Sequence, residues 1–197
     1  MARPRQISDD DILRAAREVF VDDGPAASTS KVAELLGVSQ AALFRRFGSK
    51  ERLLLEALAP PKTPRWVAEM AEGPDERPLV QQLTAIARSA SDYLSAHVPR
   101  ITALCASGIS HDALFDHYAE GPPVVVALRA LTSWVRRAQR RGLVVKGVDP
   151  RSVAVLFLGA VQFPAFLNHL PNADERPRID QKTLEKTVAL VARGLEP

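Results

Sequence analysis

The sequence predicts an all-α protein, and two observations lead to that prediction. Apolar residues recur at helical spacing through most of the chain, whereas no stretch alternates apolar and polar residues over the length of a strand. Serine, aspartate, glycine and proline stand at positions that begin or end helices. With 46% hydrophobic and 25% charged residues among 197, the composition is that of a globular protein with room for a small and a larger domain.

The first two helices are predicted between Ser8 and Gly37. Ser8 is a predicted N-cap, and the three aspartates of residues 9–11 favour the positive end of a helix dipole. The stretch DDGP at residues 22–25 ends this helix. A second short helix is predicted over residues 29–36, and Gly37 ends it because glycine accepts a positive φ.

A third and a fourth helix follow at once. Ser39 is the predicted cap of the third helix, in which Leu43 and Phe47 are apolar, and Ser49 caps a fourth helix that runs to residue 58. Two helices joined by a three-residue glycine turn have the geometry of a helix-turn-helix, in which the first helix braces the second in the major groove.

The proline-dense stretch APPKTPR at residues 59–65 is the predicted boundary between two domains. We predict a helix-turn-helix domain over residues 1–52, a connecting helix at about 50–59, and a larger helical domain over 60–197. In the second domain, helices are predicted at 65–71, 79–96, 99–107, 112–119, 123–141, 150–170 and 181–194.

Composition excludes several classes of protein. A net charge of only +3 means that nucleic-acid affinity requires a local basic cluster, and residues 45–52 supply one. A single cysteine excludes an internal disulfide and fits a reducing cytoplasm. The four histidines have no zinc-finger spacing, so we expect neither a metal nor a cofactor.

No secretory signal precedes the first helix, and the longest apolar run, residues 153–167, is shorter than a membrane span. We therefore expect a cytoplasmic protein without a membrane partner.

Four sequence elements follow one another in the N-terminal quarter of the chain: ILRAAREVFVDDG, TSKVAELLGVS, LFRRF and SKERLL. In their order and spacing these elements resemble the DNA-binding domain of TetR-family transcriptional repressors. The resemblance implies that the hydroxyl residue opening the second helix and the lysine of SK bind phosphate, and that positions early in the third helix touch base edges. The implied DNA-binding residues are Thr29, Ser30, Gln40, Ala41, Ala42, Phe44, Arg45, Arg46 and Lys50.

Gln40 is suited to a bidentate contact with adenine, and the neighbouring alanines to a thymine methyl.

Two positions depart from the family pattern. Phe44 stands where tyrosine is common and has no hydroxyl for a phosphate, and Arg46 replaces a histidine. Without that hydrogen bond, phosphate binding depends more on the positive charge of Arg45 or Arg46. Binding that depends on charge is weakened more strongly by salt. A basic arm at Arg3 and Arg5 could follow the minor groove.

The long helix predicted over residues 150–170 is apolar on more than one face, so it needs burial on two sides. The resemblance implies that the last two helices form a homodimer, and the alternative is a central helix in a monomer. The residues expected at the dimer interface are Leu156, Phe157, Ala160, Phe163, Leu167, Leu184, Val188, Val191 and Leu195.

The resemblance also implies that the second domain binds a small inducer. Large side chains that could line an apolar pocket suit a hydrophobic or aromatic ligand, and the alternative for each of them is ordinary core packing. The residues expected at the pocket are Trp66, Met70, Tyr93, Phe115, Tyr118, Trp134 and Phe166.

We therefore expect a homodimeric, ligand-responsive regulator of transcription that binds double-stranded DNA, a repressor released from a palindromic operator by a small molecule. The alternatives are a regulator that activates and a small-molecule-binding helical protein without specific DNA binding. An enzyme is not expected, because no catalytic motif places a nucleophile beside a base.

Overall fold

The computed structural model describes residues 7–24, 26–118, 120–170 and 179–197, with the side chains of residues 111, 114 and 115 left out. Throughout these residues the regular structure is helical, which confirms the predicted all-α class. The α-helices are α1 Asp9–Asp22, α2 Thr29–Leu36, α3 Gln40–Phe47, α4 Lys50–Leu58, α5 Arg65–Glu69, α6 Leu79–Ala106, α7 His111–Asp116, α8 Pro123–Arg140, α9 Pro150–His169 and α10 Gln181–Arg193. A 3-10 turn, Met70–Glu72, follows α5.

The predicted helix starts are confirmed by their hydrogen bonds. In each case the side-chain oxygen of the cap accepts the backbone N–H three residues further on, at 2.7 to 3.2 Å. The predicted caps that do so are Ser8, Ser39 and Ser49, and Asp149 makes the same bond at the start of α9.

One predicted break is wrong. Residues 79–96 and 99–107 were expected to form two helices, but α6 is continuous and contains Pro99. A proline inside a helix removes one N–H donor, here the one that would reach the Ser95 carbonyl, and the rest of the helix can continue if its side chains pack. Leu104 is buried beyond the proline, which gives the last turns of α6 such packing.

The described residues form two compact units. The first comprises residues up to 60 together with 99–117, so it includes a segment outside the predicted 1–52 domain. Its core is apolar and is contributed by α1 to α4 and the end of α6. The largest side chains that are fully buried there are Phe20, Leu43, Leu53 and Leu58.

The second unit comprises residues 61–98 and 118–197. Within it α8 packs against α9, and α9 packs against α10. Trp66, Met70 and Trp134 belong to its core.

The inner faces of α9 and α10 correct part of the expected dimer interface. Four of the residues assigned to that interface are buried in the core of the single chain, with exposures of 1% to 6%: Phe157, Leu184, Val188 and Leu195. Their side chains point towards their own subunit because α9 packs between α8 and α10. Assigning them to a partner contact was therefore wrong.

The outer face of α9 remains open. Leu156 is 60% and Phe163 is 58% exposed, whereas Ala160, Leu167 and Val191 are partly buried. By length and composition alone α9, with mean hydropathy 1.4, could cross a membrane, as could the core helix of many globular proteins. Its inner face is built into the core of the second unit.

Gly37 ends α2 in the left-handed conformation, with φ 65° and ψ 31°. The next amide, of Val38, donates to the Ala33 carbonyl at 3.0 Å and closes the turn into α3. We expect Gly37→Ala to lower the free energy of unfolding by about 1 kcal/mol, because only glycine adopts this φ without strain.

Urea denaturation measures this change. The matched control is Gly147→Ala, since Gly147 has no positive φ and, as at Gly37, an added Cβ would meet no atom within 4 Å. An equal loss in both variants would contradict the role given to the turn.

Candidate nucleic-acid interface and ligand cavity

The third helix is fixed on one face and open on the other. Leu43 and Phe47 are buried against α1, α2 and α4, and Ala33 of α2 lies in the same core. Gln40 and Arg45 are exposed on the same short helix. A helix of eight residues is thus held by its apolar side while its polar side faces solvent, as contact with a DNA groove requires.

The nine residues expected to bind DNA differ in exposure. Ser30, Gln40, Ala41, Arg45 and Arg46 are exposed, and Ala42, Phe44 and Lys50 are partly exposed. Thr29 differs from all of these because it is only 3% exposed.

Thr29 is covered by Gln40. The Nε2 of Gln40 donates a hydrogen bond to the Thr29 hydroxyl at 2.5 Å, which joins the first residue of α2 to the first residue of α3. The assignment of the Thr29 side chain to a phosphate contact is corrected accordingly, because its hydroxyl lies beneath the amide of Gln40. The second N–H and the carbonyl oxygen of that amide remain for a base edge.

Arg46 is engaged within the chain. Its guanidinium donates to the Ile7 carbonyl at 2.6 Å and to the Asp9 carboxylate at 3.1 Å, so it ties the last turn of α3 to the start of α1. Arg45, in contrast, is exposed and makes no hydrogen bond to any residue that the structure describes. The sequence left open whether Arg45 or Arg46 binds phosphate, and in the structure Arg45 is the one whose guanidinium is not already bonded within the described residues.

We expect Arg45→Ala and Arg46→Ala to act on different properties. Arg45→Ala should reduce by about one unit the slope of log binding constant against log salt on non-specific duplex DNA, since the phosphate contact expected of Arg45 is lost. Arg46→Ala should leave that slope unchanged and lower the free energy of unfolding by about 0.5 to 1 kcal/mol, the scale of exposed charged contacts.

Fluorescence anisotropy at several salt concentrations and thermal unfolding separate the two effects. If the salt slope were smaller in Arg46→Ala than in Arg45→Ala, Arg46 and not Arg45 would be the residue that contacts phosphate.

Lys50 is the first residue of α4. Its ammonium donates to the Ala26 carbonyl at 3.3 Å and lies 5.9 Å from the centre of the Phe20 ring. A cation beside the N-terminus of a helix creates a local site for an anion, which suits a phosphate of DNA. The suggested arm at Arg3 and Arg5 lies outside the described residues.

The second unit contains a cavity of about 270 Å³ that brings together three of the expected pocket residues, Trp66, Met70 and Trp134. Residues 69–77 and the first turns of α6 complete its lining. Glycine and glutamine residues of this lining, Gly73 and Gln82, were not identified from the sequence, because neither has a pattern that points to a cavity.

Tyr93 and Tyr118 form a separate polar group in this unit. The Tyr93 ring stacks on His97 with centres 4.2 Å apart and lies 6.4 Å from the ring of Trp66. Burial raises the pKa of Tyr93 to about 12, and burial with the nearby Tyr93 raises the pKa of Tyr118. Tyrosine is ordinarily neutral at physiological pH, and these shifts make ionisation of both phenols still less favourable.

Besides Tyr93 and Tyr118, which are not among its lining residues, two more expected pocket residues are not placed in the cavity. The side chain of Phe115 lies outside the described residues. Phe166 is 53% exposed on the outer face of α9, so its assignment to the pocket is corrected. It extends a row of exposed apolar side chains on α9 that includes Val155, Leu156 and Phe163, and Leu190 of α10 is exposed as well.

Residues 12–57 match the family model of bacterial regulatory proteins, tetR family. Solved structures match over nearly the whole chain. The regulator PfmR from Thermus thermophilus is 22% identical, with a TM-score of 0.64 and coverage of 94% of this chain and 99% of that one. The fatty acid degradation regulator FadR from Bacillus halodurans is 19% identical, with a TM-score of 0.68 and coverages of 96% and 98%.

A third structure is the TetR-family regulator CifR, a cysteine mutant in complex with 26-base-pair operator DNA. It is 19% identical, with a TM-score of 0.61 and coverages of 98% and 100%. No curated protein sequence matches this chain. The predicted resemblance is confirmed: residues 12–57 match the TetR-family model, and the chain has the fold of TetR-family transcriptional regulators.

Proposed function

We propose that this chain, whose N-terminal domain is that of the TetR family, is a homodimeric repressor that a small molecule releases from a palindromic operator. The observation that carries the proposal is the third helix, which Leu43 and Phe47 hold from one side while Gln40 and Arg45 face solvent on the other. A similar chain, CifR, has a structure with operator DNA, which supports the same use of the fold here.

Base recognition is assigned to the start of α3. Gln40 offers a donor and an acceptor on one planar amide, the pair that adenine presents in the major groove, and Ala41 and Ala42 are small enough to meet a thymine methyl. Ser30, Arg45 and Lys50 contact phosphate, which positions the helix without reading sequence. Phe44 contributes an apolar contact in place of a hydroxyl.

Dimerisation is assigned to the outer faces of α9 and α10. Five large apolar side chains are exposed there, and such a contiguous patch on a soluble protein marks an interaction surface. Pairing of α9 and α10 with the same helices of a second copy would cover the patch in a two-fold four-helix interface. A two-fold dimer presents two recognition helices to half-sites about one DNA turn apart, which makes the operator a palindrome.

Release follows from thermodynamic linkage. A small molecule that binds better to the conformation with low DNA affinity must weaken DNA binding by the factor by which DNA weakens its own binding. The second unit supplies a cavity for such a molecule.

The test is selection of bound fragments from the sheared genomic DNA of the source organism by the purified protein at about 150 mM salt, followed by sequencing. The expected result is enrichment of a palindrome whose half-sites are about one helical turn apart. Enrichment of a non-repeated site would remove the two-fold dimer from the proposal. A folded, ligand-free protein that enriches nothing would remove specific DNA binding.

A further inference from the structure

An apolar groove with a volume of about 620 Å³ lies on the surface of the second unit, between the start of α9 and the end of α10. Val153 lies in its lining, together with Leu156 and Leu190, which are both more than half exposed. The two helices run in opposite directions, because at the other end of α9 Asn168 donates to the Ile179 carbonyl, just before α10, at 3.3 Å. The groove therefore occupies one end of this helix pair.

The same face of α9 presents two aromatic side chains towards its other end. Phe163 and Phe166 are more than half exposed, and Phe163 follows Leu156 by two helical turns. Between the groove and these rings the helix carries no side chain, because Gly159 is exposed and a Cβ added to it would meet no atom within 4 Å. The face thus has a groove at one end, projecting rings at the other and a gap in the middle.

Two-fold symmetry specifies how such a face can cover itself. In a two-fold interface a patch meets an identical patch, so the two copies of a helix that crosses the axis run antiparallel. An axis midway between Leu156 and Phe163 places each of these residues opposite the other. That midpoint lies beside Gly159, where the missing side chain lets two helices approach closely. The same register places Phe166 opposite Val153, a residue of the groove lining.

We infer that the two-fold axis of the proposed homodimer passes beside Gly159, and that Phe163 and Phe166 of each copy fill the groove of the other copy between Leu156 and Leu190. This inference rests on the proposed homodimer and adds its register and the side chains that interlock. A small apolar ligand in the groove would leave both phenylalanines in solvent, whereas a second copy covers the groove and the rings at once.

The exposed apolar area is large enough for a stable pair. Each of five large apolar side chains on this surface is more than half exposed, which leaves roughly 100 Å² of each open to solvent. Two copies would bury on the order of 1,000 Å² through these side chains alone, which reaches the size of a specific interface. The five side chains are Val155, Leu156, Phe163, Phe166 and Leu190.

Engineered cysteines test the register in a Cys105→Ser background, since Cys105 is exposed and would otherwise react. A residue beside the axis meets its own counterpart, so Gly159→Cys should form an intermolecular disulfide under mild oxidation. Leu156→Cys and Phe163→Cys should each cross-link poorly alone, because equivalent positions in the two copies are about 10 Å apart along the helix, beyond the reach of a disulfide. When the two variants are co-expressed, they should cross-link mainly with each other.

Val124→Cys gives the background from chance collisions, because Val124 is exposed on α8 and lies outside this surface. Sedimentation equilibrium of each reduced protein shows separately whether it is a dimer. Dimers that cross-link no better than the Val124→Cys control, or in which Phe163→Cys alone links as well as the co-expressed pair, would overturn the register. A wild-type chain that is monomeric would overturn the proposed homodimer instead.

A double-mutant cycle tests the contact between Phe166 and Leu190. Within one copy these residues are far apart, because Leu190 lines the groove with Leu156, and Phe166 lies about 15 Å further along α9. We expect Phe166→Ala and Leu190→Ala each to raise the dimer dissociation constant at least about tenfold, and the double variant to fall at least about fivefold short of the product of the two losses. Val124→Ala is the matched control and should leave the constant unchanged. Fully multiplicative losses, or no loss in either single variant, would overturn the occupancy of the groove.

Discussion

Replacing Phe163 with glutamate is expected to convert the proposed homodimer to a monomer. Phe163 is 58% exposed in the apolar row on the outer face of α9, so the substitution does not disturb the core of the single chain. In a two-fold interface the change occurs twice, and each copy places an unpaired carboxylate among the partner's apolar side chains. Burial of an unpaired charge costs several kcal/mol, more than a typical interface side chain contributes.

Sedimentation equilibrium measures the change in mass. The matched control is Val124→Glu, because Val124 is 54% exposed on α8 and lies outside the apolar row. We expect that variant to remain dimeric. A dimeric Phe163→Glu protein would mean that the subunits associate through another surface.

The same variant should lose operator binding although its DNA-reading helix is untouched. A monomer engages one half-site, and the loss of the linked second contact reduces apparent affinity by about 100-fold or more. Fluorescence anisotropy on a full operator and on a single half-site distinguishes a loss of dimerisation from damage to the third helix. In a loss of dimerisation, the affinity for the half-site should be the same in wild type and variant.

Removing the hydroxyl of Thr29 should reduce sequence discrimination almost as much as removing the Gln40 side chain. Gln40→Ala removes the proposed base contact and should relax preference at one base pair per half-site by about 1 to 3 kcal/mol. Thr29→Val keeps the shape of a buried side chain but frees the amide of Gln40, which the 2.5 Å hydrogen bond holds in place. Because both changes break one contact, the double variant should lose little more than Gln40→Ala alone.

Competition binding on operators that differ at each base pair gives the discrimination of each variant. Thr29→Ser retains the hydroxyl and should retain most of the preference. Lys50→Ala serves as the contrasting case, since loss of a phosphate contact weakens binding to all sequences alike. Strictly additive losses in the double variant would mean that Thr29 and Gln40 act independently.

The local parts of the fold were predictable because short-range chemistry determines them. A serine or aspartate cap bonds an amide three residues away, so Ser8, Ser39 and Ser49 could be placed without knowledge of the rest of the chain. Gly37 likewise ends α2 because glycine readily adopts the left-handed conformation that it has there. The resemblance that these elements carry was the basis for assigning the N-terminal domain.

The long-range parts were not predictable in the same way. Arg46 bonds to residues 7 and 9, nearly forty positions earlier, and nothing in the spacing LFRRF distinguishes it from Arg45. On α9 both faces are apolar, so the sequence could not tell that Phe157 points into its own subunit while Leu156 points outward.

The brevity of α2 and α3 has a consequence for genetics. Each has eight residues, about two turns, which is too short for a helix to persist in water without tertiary support. The shape of the proposed DNA-reading surface is therefore maintained by buried side chains, such as Leu43 and Phe20. Given the proposed repressor function, random mutagenesis scored for derepression of a reporter should return more alleles in the buried positions of the first unit than in the residues assigned to operator contact. Many of those alleles should be temperature-sensitive.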